Sequence, residues 1–287
     1  MPRETNLSMQ KIDWDDAFDN MGHVEGSGSL PAFWLERAAA YREALQSGQV
    51  DCDIAYGDGA RQKLDIVWPD GPVRGLAVFV HGGFWMRLDK SYWTDLAEGA
   101  RANGWAVCIP SYTLVPAARI SAITAEIGQA ITVAASRVEG PIVLAGHSAG
   151  GHLVTRMLCD DSPLSQAVTG RIAGCLSISG LHDLRPLRHT ALNKTLHLDA
   201  AEAQSESAAL HSPAGAMPLT CWVGGGERPE FIRQSRLMAL MWEGLETPTR
   251  CHIDGNHDHF TILEGLKDPL GDITQALLGL ADKGDDT

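Results

Sequence analysis

The sequence predicts an α/β fold in which a mostly parallel central sheet is covered by helices on both faces, and three observations predict it. Eight strand candidates, near 51–56, 62–68, 75–81, 105–111, 141–146, 172–179, 218–223 and 249–253, alternate with helix-like patterns near 91–103, 119–136, 149–159, 229–245 and 272–282. Runs such as Leu76-Ala77-Val78-Phe79-Val80 are apolar throughout rather than alternating, as strands buried on both faces must be. At 287 residues with 44% hydrophobic content, the chain can bury a sizeable core and remain one unit.

Taken in order, the first two strand candidates turn around Gly57-Asp58-Gly59 and read as an antiparallel edge hairpin. The third ends directly in His81-Gly82-Gly83-Phe84-Trp85, a loop whose glycines let backbone amides approach an oxygen that becomes negative during acyl transfer. Gly83 and Phe84 are the candidate donors. The fifth ends in Gly146-His147-Ser148-Ala149-Gly150 and runs into the helix-like His152-Leu153-Val154-Thr155-Arg156-Met157-Leu158. A strand, a sharp turn and a helix around G-x-S-x-G make a nucleophile elbow, with Ser148 as nucleophile and the Ala149 amide as third oxyanion donor. The stretch 181–212, polar and helix-prone, sits where a lid would cover Ser148, and the first 48 residues carry an amphipathic helix near 31–46. Neither is long enough for a second domain, so residues 1–287 are read as one.

A serine needs a base, and the base needs an orienting carboxylate. Leu219-Thr220-Cys221-Trp222-Val223 ends in Gly224-Gly225-Gly226-Glu227-Arg228-Pro229-Glu230, which makes Glu227 the first candidate acid and Glu230 the second. Further on, Asp254-Gly255-Asn256-His257-Asp258-His259-Phe260 offers His259 as base, and the order Ser148, Glu227, His259 is that of the α/β-hydrolase fold. His252, His257 and His259 with Asp254 and Asp258 could also suit zinc or iron. No H-x-x-x-H spacing occurs there, and an elbow serine with an oxyanion loop needs no metal, so neither metal nor cofactor is expected.

These residues carry a resemblance. His81-Gly82-Gly83-Phe84-Trp85 resembles the H-G-G-x-W signature of kynurenine formamidases (arylformamidases), and Gly146-His147-Ser148-Ala149-Gly150-Gly151-His152-Leu153 is similar to their nucleophile segment. Ser179-Gly180-Leu181-His182-Asp183-Leu184-Arg185-Pro186-Leu187 resembles the segment after their sixth strand, and Asp258-His259-Phe260 their Asp-His-Phe, whose histidine is the base. Phe18-Asp19-Asn20 and Phe33 to Arg42 are also similar. The acid loop departs from the family: Glu227 stands where Asp is usual, and Arg228-Pro229-Glu230-Phe231 replaces a Ser-Pro-Glu-Phe run. The resemblance implies a serine hydrolase of the α/β-hydrolase fold acting on N-formyl-kynurenine or a similar N-formyl aryl amine. A broad carboxylesterase or carbamate hydrolase is the alternative, and a non-catalytic ligand-binding relative the remote one.

Candidate substrate contacts are Trp85, Tyr112, Leu181 and His182; Trp93 reads as core more than pocket, and His81, His147 and His152 as structural. The formal charge of −13 argues against nucleic acid and anionic membranes, leaving a small-molecule substrate as the expected partner, with homodimerisation open. No apolar stretch approaches the roughly 20 residues of a membrane span, and Met1 to Asn6 opens no signal peptide. The six scattered cysteines read as reduced thiols of a cytoplasmic protein.

Overall fold

The computed structural model describes residues 12–279. Its eight strands are β1 (Val50–Ala55), β2 (Lys63–Val67), β3 (Leu76–Val80), β4 (Ala106–Pro110), β5 (Ile142–His147), β6 (Ile172–Ile178), β7 (Leu219–Gly224) and β8 (Thr249–Asp254). They form one sheet in the order β1-β2-β4-β3-β5-β6-β7-β8. β1 pairs antiparallel with β2, and β2 with β4; every other pairing is parallel. The edge hairpin and the parallel body are therefore as expected from the apolar runs.

Strand periodicity explains why those runs are apolar throughout. Successive residues point to opposite faces, so Leu76, Val78 and Val80 of β3 join one core while Ala77 and Phe79 join the other. In β5, Ile142 and Leu144 face the first core, and Val143 and Ala145 the second. The first core is closed by helices Ile120–Ala135, Ala149–Arg156 and Pro229–Glu243, which contribute Ile123, Ile127, Leu153, Phe231 and Trp242. The second is closed by Trp34 of the helix Leu30–Ala44, by Trp93 and Leu96, and by Leu277 of the helix Asp272–Leu278.

The helical segments deviate from their patterns in three places. The 91–103 pattern breaks into 3₁₀ turns Lys90–Tyr92 and Thr94–Ala97 before a short helix Glu98–Ala102. The break follows from Asp89, whose side chain caps the first turn through the Ser91 amide (2.8 Å), and from Ser111 Oγ, which holds the Lys90 amide (3.0 Å). The helix near 31–46 buries only Trp34 and Ala38 and leaves Phe33 54% and Leu35 40% exposed, so its apolar residues do not form one stripe. Instead the Arg37 guanidinium lies over the Phe33 ring, 5.3 Å from its centroid. The last helix ends at Leu278, and residues 280–282 of its pattern lie outside the described residues.

Between β6 and β7 the polar insertion folds into short turns whose Leu181, Leu184, Leu187, Leu196 and Leu198 are buried in the first core. Glu202 anchors it to the neighbouring helix by accepting from Arg119 (2.6 Å) and from Ser121 Oγ (2.9 Å). No helix among the described residues is long and apolar enough to cross a membrane.

Candidate active site

Parallel sheets of this kind bind ligands outside the carboxyl ends of their strands. Five segments meet there: the loops after β3, β5, β6, β7 and β8.

Ser148 follows β5 at φ +55°, ψ −116°, a conformation L-residues rarely adopt. The tight turn requires its two glycines: a Cβ on Gly146 would lie 2.1 Å from the Gly150 carbonyl oxygen, and one on Gly150 would lie 1.9 Å from that of Val80. The Ser148 amide donates to the Ile178 carbonyl (2.8 Å), and its carbonyl accepts from His152 N–H (3.1 Å), which ties the turn to β6 and to the following helix.

The loop after β3 has three consecutive positive φ values, at Gly83 (+105°), Phe84 (+51°) and Trp85 (+56°). That strained path leaves the amides of Gly83 and Phe84, like that of Ala149, without an acceptor among the described residues. His81 braces the loop from beneath. Its Nδ1–H donates to the Gly82 carbonyl (2.8 Å), and its ring stacks on Tyr112 at 4.4 Å. Burial pushes its pKa down to about 4, so it is neutral and fit for packing rather than proton transfer.

Glu227 and His259 are joined at the ends of β7 and β8. His259 Nδ1–H donates to Glu227 Oε2 at 2.6 Å, while Glu227 Oε1 accepts from the Gly224 amide (2.8 Å) and from Ser179 Oγ (2.5 Å). Three donors thus satisfy the buried carboxylate and fix its orientation. Glu230 is committed elsewhere: it pairs with Arg233 through both oxygens (2.7 Å each) and accepts from Gln234 (2.8 Å). His147 donates Nε2–H to the His259 carbonyl (2.8 Å); burial, followed by the neighbouring imidazole, keeps it uncharged.

Ser148 and His259 both line a cavity of about 340 Å³, near the lower end of the roughly 300–1,000 Å³ usual for small-molecule sites. Among the described residues Ser148 Oγ and His259 Nε2 make no hydrogen bond, with each other or with any other group, so both remain available to a ligand. The aromatic walls come from Phe18, Trp34, Phe84, Trp93, Phe231 and Phe260.

The chain's similarities agree with this geometry. Residues 77–216 match the alpha/beta hydrolase fold family. The kynurenine formamidase of Salmo salar is 29% identical over 286 residues, covering 88% of this chain and 94% of the relative. That of Danio rerio is 27% identical over 277 residues, with the same coverage. The chain is an α/β hydrolase related in sequence to the kynurenine formamidases. Among solved structures, a protein of Silicibacter sp. TM1040 described as a candidate thioesterase superposes with a TM-score of 0.87 at 42% identity, covering 93% of this chain and all of the other.

Within this α/β hydrolase, the four expected substrate contacts require correction. Trp85, Tyr112, Leu181 and His182 are fully buried and lie outside the cavity lining. The positive φ at Trp85 turns its ring into the first core against His152 (5.1 Å), whereas Trp93, read as core, lines the cavity together with Trp34. Tyr112 is held beneath the loop by His81, and its hydroxyl donates to the His81 carbonyl (3.0 Å). His182 is packed against Ser177, and burial pushes its pKa down to about 3. The remaining histidines of the 252–259 cluster point apart: His252 stacks on Trp222 (3.9 Å), and His257 approaches Asp254 only to 3.8 Å. Asp15, Phe18 to Met21, Arg87 and Leu192 line the cavity and Ser179 holds Glu227, but no local sequence pattern marks them as site residues, although Phe18-Asp19-Asn20 and Ser179 lie in segments that carry the resemblance.

Proposed function

We propose that the protein is an arylformamidase that hydrolyses N-formyl-L-kynurenine, or a closely similar N-formyl aryl amine, through a formyl-enzyme on Ser148, and that it works in the cytoplasm. The observation that carries this is a serine elbow lining an aromatic-walled cavity beside three uncommitted amides, in a chain related to the kynurenine formamidases. The six free thiols support a reducing compartment.

His259 Nε2 takes the proton as Ser148 Oγ attacks the formyl carbon, and Glu227 stabilises the imidazolium that forms. The oxyanion accepts from the amides of Gly83, Phe84 and Ala149, each donor contributing about 3 to 4 kcal/mol in the transition state. Collapse breaks the C–N bond as His259 returns its proton to the aryl nitrogen. Water, activated by the same imidazole, then attacks the formyl ester, releasing formate and restoring Ser148. A formyl group is the smallest acyl group, and the aromatic walls suit an aryl leaving group, whose stacking adds about 0.5 to 1.5 kcal/mol beyond area burial.

A second reading, hydrolysis of short-chain esters or thioesters, is favoured by the 42% identity to the candidate thioesterase. A panel of N-formyl-L-kynurenine, an acetyl thioester and p-nitrophenyl acetate, butyrate and octanoate separates the two. Formamide cleavage with ester rates falling along the acyl series is expected. Thioester or ester cleavage without formate release would transfer the assignment to the second reading.

A further inference from the structure

The cavity's walls are mostly aromatic, but Asp19, Asn20 and Arg87 also join its lining, far from Ser148 in sequence and not needed for acyl transfer. Asn20 is the most telling. Its side chain is only 5% exposed, and its orientation is fixed chemically: the Arg228 amide donates to Asn20 Oδ1 at 2.8 Å, so the other atom must be the NH₂ group. That Nδ2 is buried and has no hydrogen-bond partner among the described residues. A buried, unsatisfied donor is costly, of order 1–3 kcal/mol, and one that lines a ligand cavity is repaid when a ligand supplies the acceptor.

Arg87 adds a second donor of the right kind. Its side chain is exposed and makes no hydrogen bond or ion pair among the described residues. Asp19 supplies the opposite sign. Its Oδ1 accepts from the Gly22 amide (2.8 Å), and its Oδ2 makes no hydrogen bond among the described residues. Two unspent donors, one cationic, and one unspent carboxylate oxygen thus border a cavity with apolar walls.

We propose that Asn20, Arg87 and Asp19 form a subsite for a zwitterionic α-amino-acid head carried by the aromatic leaving group. Asn20 Nδ2 and the Arg87 guanidinium donate to the α-carboxylate, and Asp19 accepts from the α-ammonium. This deepens the formamidase reading of the same cavity by assigning how the leaving group is selected. An aryl formamide without the head would enter the same aromatic walls but leave the Asn20 donor unpaired, and such mismatches carry most of an enzyme's discrimination.

The test is direct binding, which needs no turnover. Isothermal titration of the protein with L-kynurenine and with 2-aminoacetophenone compares two ligands that share the amino-aryl ketone and differ by the head. The parent protein should prefer L-kynurenine by at least about tenfold, the value of one good charged contact. Asn20→Asp keeps the oxygen that accepts from Arg228 while turning the donor into a repelling carboxylate, and it should erase that preference; Arg87→Gln should reduce it to a few-fold. Equal binding of the two ligands by the parent, or a preference that survives both substitutions, would overturn the subsite. A variant that loses affinity for both ligands alike also counts against it, because the head is then not what these side chains read. Formate release from N-formyl-L-kynurenine is scored separately: head preference without formate release removes the formamidase reading and leaves the subsite, and the converse removes only the subsite.

Discussion

Glu227→Gln is the sharpest probe of the site, because the surroundings of the carboxylate dictate how the amide must sit. Oε1 accepts from the Gly224 amide (2.8 Å) and Ser179 Oγ (2.5 Å), and the backbone N–H can only donate. The glutamine oxygen must therefore take the Oε1 position, which turns its NH₂ toward His259 Nδ1, where Oε2 had accepted at 2.6 Å. A donor facing Nδ1 forces the imidazole proton onto Nε2, the tautomer that cannot accept the proton of Ser148. In serine–histidine–acid sites this switch costs about 10⁴-fold in kcat, or about 5.4 kcal/mol. We expect kcat to fall by about 10³- to 10⁴-fold with KM little changed, since the groups lost act only after substrate is bound. Glu230→Gln is the control. It breaks the pair with Arg233, which is 46% exposed, and should cost about 1 kcal/mol of stability with kcat within a few-fold of the parent. Steady-state kinetics with p-nitrophenyl acetate and N-formyl-L-kynurenine, alongside thermal melts, measure both. A Glu227→Gln enzyme within tenfold of the parent, or one no worse than Glu230→Gln, would refute the assignment of the acid.

Other consequences follow from the same geometry. His259→Ala should lower kcat by at least about 10³-fold, whereas His252→Ala and His257→Ala should stay within a few-fold and EDTA should leave the rate unchanged; loss on chelation with recovery on added zinc would reinstate a metal. Ser179→Ala removes one of three donors to Glu227, a charge-assisted bond of about 1.5–3 kcal/mol. It should lower kcat about tenfold with KM little changed, and an unchanged kcat would reduce Ser179 to packing. Burial holds His81 at about 4 and His152 and His182 at about 3, below the unfolded value. Acidification therefore protonates the unfolded chain first, so stability is full above about pH 6.5 and is lost toward pH 4, at up to about 1.4 kcal/mol per unit per histidine. Melting temperatures that stay constant from about pH 7 to about pH 5 would contradict this.

What could be read from the sequence followed local rules. Apolar runs located the inner strands β3 to β7, because a strand covered on both faces has no polar side to obscure the pattern, whereas the largely exposed edge strands β1 and β8 carry no such run. The elbow was legible for a similar reason: no side chain fits at Gly146 or Gly150, so the chemistry of the turn is written in its glycines. The pocket was not legible. Whether Trp85 or Trp93 faces the substrate depends on the left-handed backbone at residues 83–85, which no apolar pattern reveals. Asp19, Asn20 and Arg87 reach the cavity only through tertiary folding of the N-terminal segment against the loop after β3. Glu227 and Glu230 sit three residues apart on the same loop-to-helix boundary, and only the hydrogen bonds at β7 and β8 separate them.

The central claim is that the formyl group passes through Ser148. Rapid acid quenching during turnover of N-formyl-L-kynurenine, followed by peptide mass spectrometry, measures it directly. The mechanism requires a formyl adduct on the peptide that carries Ser148, lost in Ser148→Ala together with formate release. Formate produced at the parental rate by Ser148→Ala, or an adduct on another residue, would contradict it.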